Sequence, residues 1–302
     1  MIQSQSAAVI DIGTNSIKFI LAEKRSGNAL NILYEETLEV RIGAGISHSS
    51  PRLEDTAIEK VSEAIISLLQ IKNRYQIEPI RIVATSAVRE ATNQNCLFET
   101  IKDETGIELE ILSGETEAYY IGQAIQLDPN LQKIGTLNSI DLGGGSLEWI
   151  HLKNNCLEKA FSLPLGAVRI TEQFIKDPIQ PISKDSLDAI EDHVKSIIAK
   201  NNVLLSSKCP LLGSGGAFHI LAQLLKPKSR FNQKDIEELA LSSAQLSIQG
   251  RINNLSILAK RADIIPAALI TIACFMKHFD IKYIEHSKCS LKMGILKEML
   301  GL

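Results

Sequence analysis

The sequence predicts an α/β protein built from two similar domains with a cleft between them. Three observations lead to this fold: a length of 302 residues, a glycine-containing motif that occurs twice, and short apolar runs that alternate with amphipathic segments. A chain of this length is large for one domain and of ordinary size for two. We expect the first domain to cover residues 1–125 and the second to cover residues 126–302.

The composition is typical of a soluble globular protein with a substantial core, at 45% hydrophobic and 22% charged residues. The net charge of −3, from 32 basic and 35 acidic residues, argues against a general nucleic-acid binder, which usually carries a basic excess. The net charge does not argue against an anionic substrate, because such ligands are held by a few local groups rather than by the charge of the whole chain.

The cysteines and the apolar segments indicate a cytoplasmic protein without a membrane partner. The five cysteines are odd in number and scattered, and no pair has the Cys-x-x-Cys spacing of a zinc site. We therefore expect buried free thiols in a reducing compartment. The first residues lack a signal peptide's features, and the longest apolar run, residues 264–276, falls short of the roughly 20 residues that span a bilayer.

The duplicated motif reads IDIGTNS at residues 10–16 and IDLGGGS at residues 140–146. In both copies an apolar run precedes the glycine turn and another follows it, at residues 7–12 and 16–23 and again at residues 137–142 and 146–152. Turn-forming residues then occur at positions 24–28 and 153–155. Each half is thus predicted to begin as strand, glycine turn, strand, turn and strand.

A glycine turn at the end of a strand suits phosphate binding, because its successive backbone N–H groups form a concavity that only glycine lets a ligand approach closely. Asp11 and Asp141 end the two strands and are placed to orient a divalent cation or a water molecule. A single copy would be an ordinary tight turn, whereas the matched pair favours phosphate binding. The candidate phosphate ligands are Gly13, Thr14, Asn15, Ser16, Gly143, Gly144, Gly145 and Ser146.

Between the copies, Ser50 and Pro51 are predicted to open a helix. A strand at residues 80–84 then leads into residues 85–90, and a strand at residues 107–112 leads into a helix that ends near Ile125. Strands that stop at Ser, Thr or Gly before a helix place functional groups at the edge where α/β folds bind ligands.

The second half continues with a helix from Ser183 to about Asn201 and a strand at residues 210–212. That strand meets a further glycine turn at a helix N-terminus, an anion or nucleotide contact site, formed by Gly213, Ser214, Gly215 and Gly216. The last third is predicted to be mostly helical, with a strand at residues 280–285. A terminal helix from Leu291 is expected to pack on the first domain.

Six motifs in this order resemble the exopolyphosphatase and guanosine pentaphosphate phosphohydrolase (Ppx/GppA) family, within the actin, hexokinase and Hsp70 ATPase superfamily. They lie at residues 11–16, 84–89, 113–118, 141–146, 165–169 and 213–216. The resemblance covers essentially the whole chain and extends to residues 261–265 and 291–294. It implies two ribonuclease-H-like α/β domains of the actin, hexokinase and Hsp70 type.

The resemblance also implies roles for single residues. Glu117 matches the family's catalytic base, with Glu115 as its rival, and Arg89 matches the arginine that grips the substrate phosphates. Asp141 and Glu148 match acids tied to Mg²⁺, and Asp11 joins them as a metal candidate. Arg169 and the turn at residues 213–216 are candidates for secondary phosphate or nucleotide contacts. The ordinary alternative for Glu117 or Glu115 is an acid that the helix dipole favours at a helix N-terminus. For Arg89 the ordinary alternative is a surface ion pair.

The implied reaction is Mg²⁺-dependent hydrolysis of the terminal phosphoanhydride bond of inorganic polyphosphate. Thr116 stands where relatives often have Glu, and no long C-terminal extension follows, so we expect a preference for shorter chains. Three alternatives stay open: a guanosine pentaphosphate 5′-phosphohydrolase, a sugar kinase or ATPase of the superfamily, and a silent sensor of polyphosphate or alarmone. A homodimer is also left open.

Overall fold

The computed structural model describes residues 6–25, 29–203, 205, 209–225 and 229–302. Its strands form one sheet of five strands and one of six. The five-stranded sheet uses strands from residues 6–111, and the six-stranded sheet uses strands from residues 137–286. Each half of the chain therefore contributes one sheet.

In the first half, the strands are β1 (Ser6–Ile12), β2 (Ser16–Arg25), β3 (Ala29–Glu39), β4 (Ile80–Ala84) and β5 (Leu109–Ile111). The helices are α1 (Asp55–Arg74), α2 (Ser86–Glu90), α3 (Gln94–Thr105), α4 (Gly114–Ile125) and α5 (Pro129–Gln132). The strand order is β3-β2-β1-β4-β5. β1, β2 and β3 pair antiparallel, and β4 and β5 continue in parallel with β1.

The second half has the strands β6 (Leu137–Leu142), β7 (Leu147–Lys153), β8 (Cys156–Leu163), β9 (Leu211–Ser214), β10 (Arg230–Asn232) and β11 (Tyr283–His286). Its helices are α6 (Ala167–Phe174), α7 (Lys184–Lys200), α8 (Gly216–Leu224), α9 (Gln233–Gln245), α10 (Ile248–Leu255), α11 (Ile265–His278) and α12 (Leu291–Met299). The strand order is β10-β11-β9-β6-β7-β8.

The two sheets share one topology. When the edge strand β10 is left out, the strands across each sheet are the third, second, first, fourth and fifth strands of that half of the chain. In each sheet the first three strands pair antiparallel, and the fourth and fifth run parallel to the first. This is the ribonuclease-H-like order, so the predicted fold class is confirmed. β1 and β6 lie at equivalent central positions. The nearly continuous apolar sequence of β1 fits its burial on both faces, whereas β6 also buries Asn138, Ser139 and Asp141.

The predicted start of the first long helix at Pro51 is wrong. Helix α1 begins at Asp55, after the N-cap residue Glu54. The preceding segment is held by Asn93, whose Oδ1 accepts from the backbone N–H of Leu53 (2.8 Å) and whose Nδ2 donates to the Leu53 carbonyl oxygen (3.0 Å). These tertiary hydrogen bonds outweigh the local preference of a proline for the first helical turn.

Two predicted strands are shorter than expected. β5 starts at Leu109 rather than at residue 107, because Gly106 ends α3 in the left-handed region and the N–H of Ile107 donates to Thr105 Oγ1. β11 starts at Tyr283 rather than at residue 280, because Asp280 has a φ of 53°. β2 continues to Arg25, and residues 26–28 of the predicted turn lie outside the described residues.

All five cysteines are free, but the expectation of buried thiols is only partly right. Cys274 and Cys289 are buried, whereas Cys96 on α3 and Cys156 at the start of the edge strand β8 are exposed. Within the described ranges, no helix is both long and apolar enough to cross a membrane.

Helix α12 lies against the first half of the chain. A Cβ added at Gly294 would overlap the carbonyl oxygen of Tyr120, so α12 and α4 cross at backbone distance. The Glu298 carboxylate accepts from the Arg81 guanidinium (2.8 Å) and from the Tyr120 hydroxyl (3.0 Å), and Lys292 Nζ donates to Glu35 (2.8 Å). Helix α12, from the second half of the sequence, therefore packs on α4 from the first half. The division of the chain into two domains at residue 125 stays a prediction.

Candidate active site

The two glycine loops have the same backbone geometry and touch each other. The N–H of Gly13 donates to the Ser16 carbonyl oxygen, and the N–H of Gly143 donates to that of Ser146, both over 3.0 Å. A Cβ added at Gly145 would lie 2.6 Å from Thr14 Oγ1. The second loop therefore needs glycine to approach the first this closely.

A cavity of about 70 Å³ lies between these loops. Its lining contains the predicted phosphate and acidic residues Asp11, Gly13, Thr14, Asn15, Ser16, Glu117, Asp141, Gly143, Gly144, Gly145 and Ser146. Lys18, Thr85, Gly216 and Arg261 also line it. The fold thus brings both halves of the repeat and Glu117 to one place.

Glu117 lies buried in the first turn of α4, where Ser113 caps the helix by accepting from the Thr116 N–H over 3.1 Å. Arg89 Nη1 donates to Glu117 Oε2 (3.3 Å) and to the Leu112 carbonyl oxygen (2.7 Å). The rival, Glu115, is exposed and lines a neighbouring cavity. Of the two acids, only Glu117 lines the cavity between the loops.

Four buried carboxylates share the site: Asp11, Glu117, Asp141 and Glu148. Burial, followed by the charge of Glu148, raises the pKa of Glu117 well above its ordinary value. Burial and the charge of Asp141 raise the pKa of Glu148 to about 7. Burial also raises the pKa of Asp141, against the opposing effect of Lys18.

Hydrogen bonds hold three of these carboxylates in place. Ser214 Oγ donates to Asp141 (2.6 Å), Ser162 Oγ donates to Glu148 (2.8 Å), and Lys18 Nζ lies 3.5 Å from Asp11 Oδ2. Burial lowers the pKa of Lys18, but the charges of Asp11 and Asp141 more than offset it, so the net pKa is raised. Asp11 Oδ1 is buried and has no hydrogen-bond partner within the described part of the chain.

The charges of the site fit one divalent cation. Four carboxylates meet the three cationic side chains Lys18, Arg89 and Arg261, which leaves one negative charge when all four acids are ionised. Among the described residues, no three His, Cys, Asp or Glu side chains form a ready ligand cage. Mg²⁺ suits such a site, because it binds one or two carboxylates and takes its other ligands from water and phosphate. Asp11, Asp141 and Glu148 stay predicted ligands, and Asp11 is already paired with Lys18.

A second cavity of about 530 Å³ adjoins the first and shares Gly145 and Ser146 with it. Arg89 and Arg169 line this cavity. Arg169 Nη2 donates to both carboxylate oxygens of Glu90 (2.6 and 2.8 Å), and its Nε donates to the Gly145 carbonyl oxygen (2.8 Å). Arg169 therefore braces the second loop from behind and does not line the first cavity.

The glycine turn at residues 213–216 mainly supports the site. A Cβ at Gly213 would overlap the Phe218 ring, so this glycine allows packing of α8. Ser214 binds Asp141, and Gly215, at a φ of 94°, lies against the Leu142 carbonyl. Of the four residues, Gly216 alone lines the first cavity.

Lys18, Arg261 and Ser162 are the site residues that the sequence interpretation did not identify. The repeat offers a signal for Lys18, because it precedes Glu148 by the same 130 positions that separate Asp11 from Asp141. Arg261 lies between α10 and α11, where only the tertiary fold brings it to the loops.

Known proteins resemble this chain in sequence and in fold. The model of the Ppx/GppA phosphatase family matches residues 6–302. The bifunctional 3-dehydroquinate synthase/phosphatase of Fusobacterium nucleatum is 27% identical over 314 residues, which cover 96% of this chain and 46% of that protein. The chain thus spans about half the length of that relative. Exopolyphosphatase 1 of Mycobacterium tuberculosis is 24% identical over 97% of this chain and 87% of its own length.

Among solved structures, an exopolyphosphatase from Cytophaga hutchinsonii superposes with a TM-score of 0.86 at 23% identity, covering 98% of both chains. At this identity the likeness supports the fold alone. The two-domain arrangement with mixed sheets is therefore shared with that structure.

Proposed function

The chain belongs to the Ppx/GppA phosphatase family, and from this premise we propose that it is an exopolyphosphatase. The reaction is hydrolysis of the terminal phosphoanhydride bond of inorganic polyphosphate, which releases orthophosphate. The observation that carries the proposal is one cavity lined by two matching glycine loops and a buried glutamate. The name of the mycobacterial relative, an exopolyphosphatase, supports the same substrate.

The loops and cations bind the end of the phosphate chain. Backbone N–H groups of residues 14–16 and 144–146 surround the terminal phosphate, with Lys18 and Arg261 lining the same cavity. The first cavity measures about 70 Å³ and the adjoining one about 530 Å³. The small cavity takes one chain end, and the larger cavity, which Arg89 and Arg169 line, takes the phosphates behind it.

Glu117 acts as the general base. A water molecule attacks the terminal phosphorus, the bond to the bridging oxygen breaks, and the water proton passes to the Glu117 carboxylate. The shortened chain leaves with the bridging oxygen. A general base works best when its pKa lies near the operating pH, and burial together with Glu148 raises the pKa of Glu117 in that direction. Arg89 orients the carboxylate through its hydrogen bond.

Asp141 and Glu148 hold a divalent cation, Mg²⁺ by its preference for oxygen ligands. When bound, the cation offsets the negative charge that develops on the phosphate oxygens. Ser214 and Ser162 orient the two carboxylates toward this role.

The test is orthophosphate release in the presence of Mg²⁺ from tetrapolyphosphate, long-chain polyphosphate, guanosine pentaphosphate and ATP, measured side by side. We expect release from polyphosphate, and the ratio of rates for the two chain lengths tests the preference for short chains. Release from guanosine pentaphosphate alone would assign the chain to alarmone hydrolysis instead. Binding of polyphosphate without release would favour the sensor.

A matched pair of variants tests the base. Glu117→Gln keeps the shape of the side chain but cannot accept the proton, so turnover should fall by at least about a hundredfold while polyphosphate still binds. Glu63→Gln, on the exposed side of α1, should keep the turnover of the unmodified chain. Full activity of Glu117→Gln would refute the assignment.

A further inference from the structure

A network of hydrogen bonds joins phosphate loop 1, defined as residues 13–16, to the opposite half of the chain. Its centre is Arg41, in the segment after β3. The backbone N–H of Arg41 donates to the Asn15 carbonyl oxygen, and its Nε donates to Asn15 Oδ1, both over 2.9 Å. Arg41 has a φ of 53°. This left-handed conformation costs energy for a residue with a side chain, so tertiary contacts must hold it.

The outer nitrogens of the same guanidinium reach the second half. Nη2 donates to the Lys260 carbonyl oxygen (2.8 Å) and to Asp263 Oδ1 (3.0 Å), while Nη1 binds the other Asp263 oxygen. Both acceptors lie in the segment between α10 and α11. One side chain therefore bonds phosphate loop 1 through one nitrogen and the opposite half through the other two.

A second bridge runs beside the first. Arg261, from the second half, donates through Nε to Glu39 Oε1 (2.8 Å), and the other oxygen of Glu39 accepts from Asn15 Nδ2. Both polar atoms of the Asn15 side chain thus bind groups that are themselves bonded across the cleft. The two bridging ion pairs are half-buried, since their side chains are 14–33% exposed.

We propose that Arg41 and Glu39 are positioning residues that make the conformation of phosphate loop 1 depend on the position of the second half. When the halves meet, Asp263 and Arg261 fix Arg41 and Glu39, and these fix Asn15 and the loop. When the halves separate, Arg41 and Glu39 lose their partners Asp263 and Arg261, and the conformation of phosphate loop 1 is no longer fixed. This inference rests on the proposed function in taking residues 13–16 as a phosphate site. Closure of the cleft and phosphate affinity are then thermodynamically linked.

The test alters the second half and observes the first. Asp263 does not itself contact phosphate loop 1, so Asp263→Ala removes the distant anchor alone. The readout is hydrogen exchange at the amides of Arg41 and Gly43, which donate to the carbonyl oxygens of Asn15 and Thr14. We expect about tenfold faster exchange at these amides, a typical coupling between residues of one network. Asp263→Asn, which keeps the side-chain volume, should show a smaller change in the same direction.

Glu285→Ala is the matched control, because it removes the acidic partner of the ion pair with Arg230, whose side chain is 61% exposed. It should leave exchange at Arg41 and Gly43 unchanged. Wild-type exchange at these two amides in both Asp263 variants would overturn the proposal. So would an equal increase throughout both sheets, which would mean general destabilisation.

Kinetics give a second, separate readout. For tetrapolyphosphate, Asp263→Ala should raise KM about tenfold with a smaller change in kcat, since the loop binds substrate and Glu117 is untouched. An unchanged KM would count against the proposal. The exchange measurement needs no substrate, so it decides the coupling even if the chain hydrolyses no polyphosphate.

Discussion

Lys18 and Glu148 occupy equivalent positions in the two halves and carry opposite charges. Lys18 lies opposite Asp11 in the pair of β1 and β2, and Glu148 lies opposite Asp141 in the pair of β6 and β7. A cation therefore neutralises the strand-end aspartate of the first half, whereas a second acid accompanies that of the other half. Under the proposed function, this asymmetry favours a divalent cation beside Asp141.

Replacing Lys18 with Met should weaken phosphate binding. The ammonium group lines the cavity and lies 3.5 Å from Asp11, so its loss leaves Asp11 and Asp141 to repel the substrate. We expect KM for tetrapolyphosphate to rise at least about tenfold, the cost of one charged hydrogen bond. Lys159→Met, on the exposed side of β8, is the control. Equal KM values for the two variants would contradict the role of Lys18.

Glu148 should make the metal-free protein less stable as the pH rises. Its pKa in the folded state is about 7, above the ordinary 4.5, so the folded chain binds more protons than the unfolded chain between these values. Folding stability therefore falls as the pH increases through this window, by about 3 kcal/mol for the full shift. Tm measured by calorimetry in EDTA should be lower at pH 8 than at pH 5.5.

The variant Glu148→Gln checks the origin of that pH dependence. It removes the titrating group, so Tm at pH 8 should increase and the slope between pH 5.5 and 8 should flatten, while catalysis is lost. Mg²⁺ should raise Tm of the unmodified protein at pH 8 and have little effect on the variant. An unchanged slope in Glu148→Gln would assign the dependence to other groups.

Gly294→Ala should disturb the crossing of α12 and α4. The added Cβ would overlap the Tyr120 carbonyl oxygen, and a backbone atom cannot rotate away, so the helices must separate. We expect a loss of about 2 kcal/mol in the free energy of unfolding, typical of overpacking. Because Glu117 lies on α4, kcat should also fall.

The control for this change is Gly250→Ala in α10. There the new Cβ would meet Cβ and Cδ2 of Leu246, both at 3.2 Å and neither in the overlap found at Gly294. A shift of a few tenths of an ångström relieves this contact, and alanine favours helix by up to about 1 kcal/mol. Urea unfolding should show little loss or a small gain. If Gly294→Ala behaves in the same way, the crossing is looser than the structure indicates.

Arg251 should be a strong determinant of stability. It is fully buried and donates to the carbonyl oxygens of Pro178, Gln180, Ser243 and Ala262. Arg251→Met leaves these buried acceptors unpaired, which should cost about 3 kcal/mol in the free energy of unfolding. Arg230→Met, at an exposed ion pair, should cost less than about 1 kcal/mol. Urea unfolding measures both, and similar losses would argue against the special role of Arg251.

The sequence predicted the central part of each half well, because that information is local and repeated. The glycine motifs fixed the ends of β1 and β6, and their duplication indicated two sheets of one topology. Glu117 and Arg89 came from the family resemblance, which implied a separate role for each and did not predict their 3.3 Å contact. Their catalytic roles stay proposals.

Long-range contacts account for what the sequence did not predict. Asn93 holds the segment before α1 and so moves the helix start to Asp55. Arg261 reaches Glu39 across more than two hundred residues of chain, and the motif at residues 261–265 does not say which residue Arg261 binds. The exposed cysteines Cys96 and Cys156 show that a free thiol's burial depends on which surface the tertiary fold covers.

The position of α12 has a consequence for folding during protein synthesis. Domains commonly fold in order as they leave the ribosome, but β1 and α4 here are covered by a helix made from residues 291–299. When the ribosome has completed the five-stranded sheet, the apolar surface that α12 will cover is still bare. We expect the nascent first half to expose this surface until residues 291–299 have been made and have left the ribosome, so that chaperones can bind the surface in the meantime.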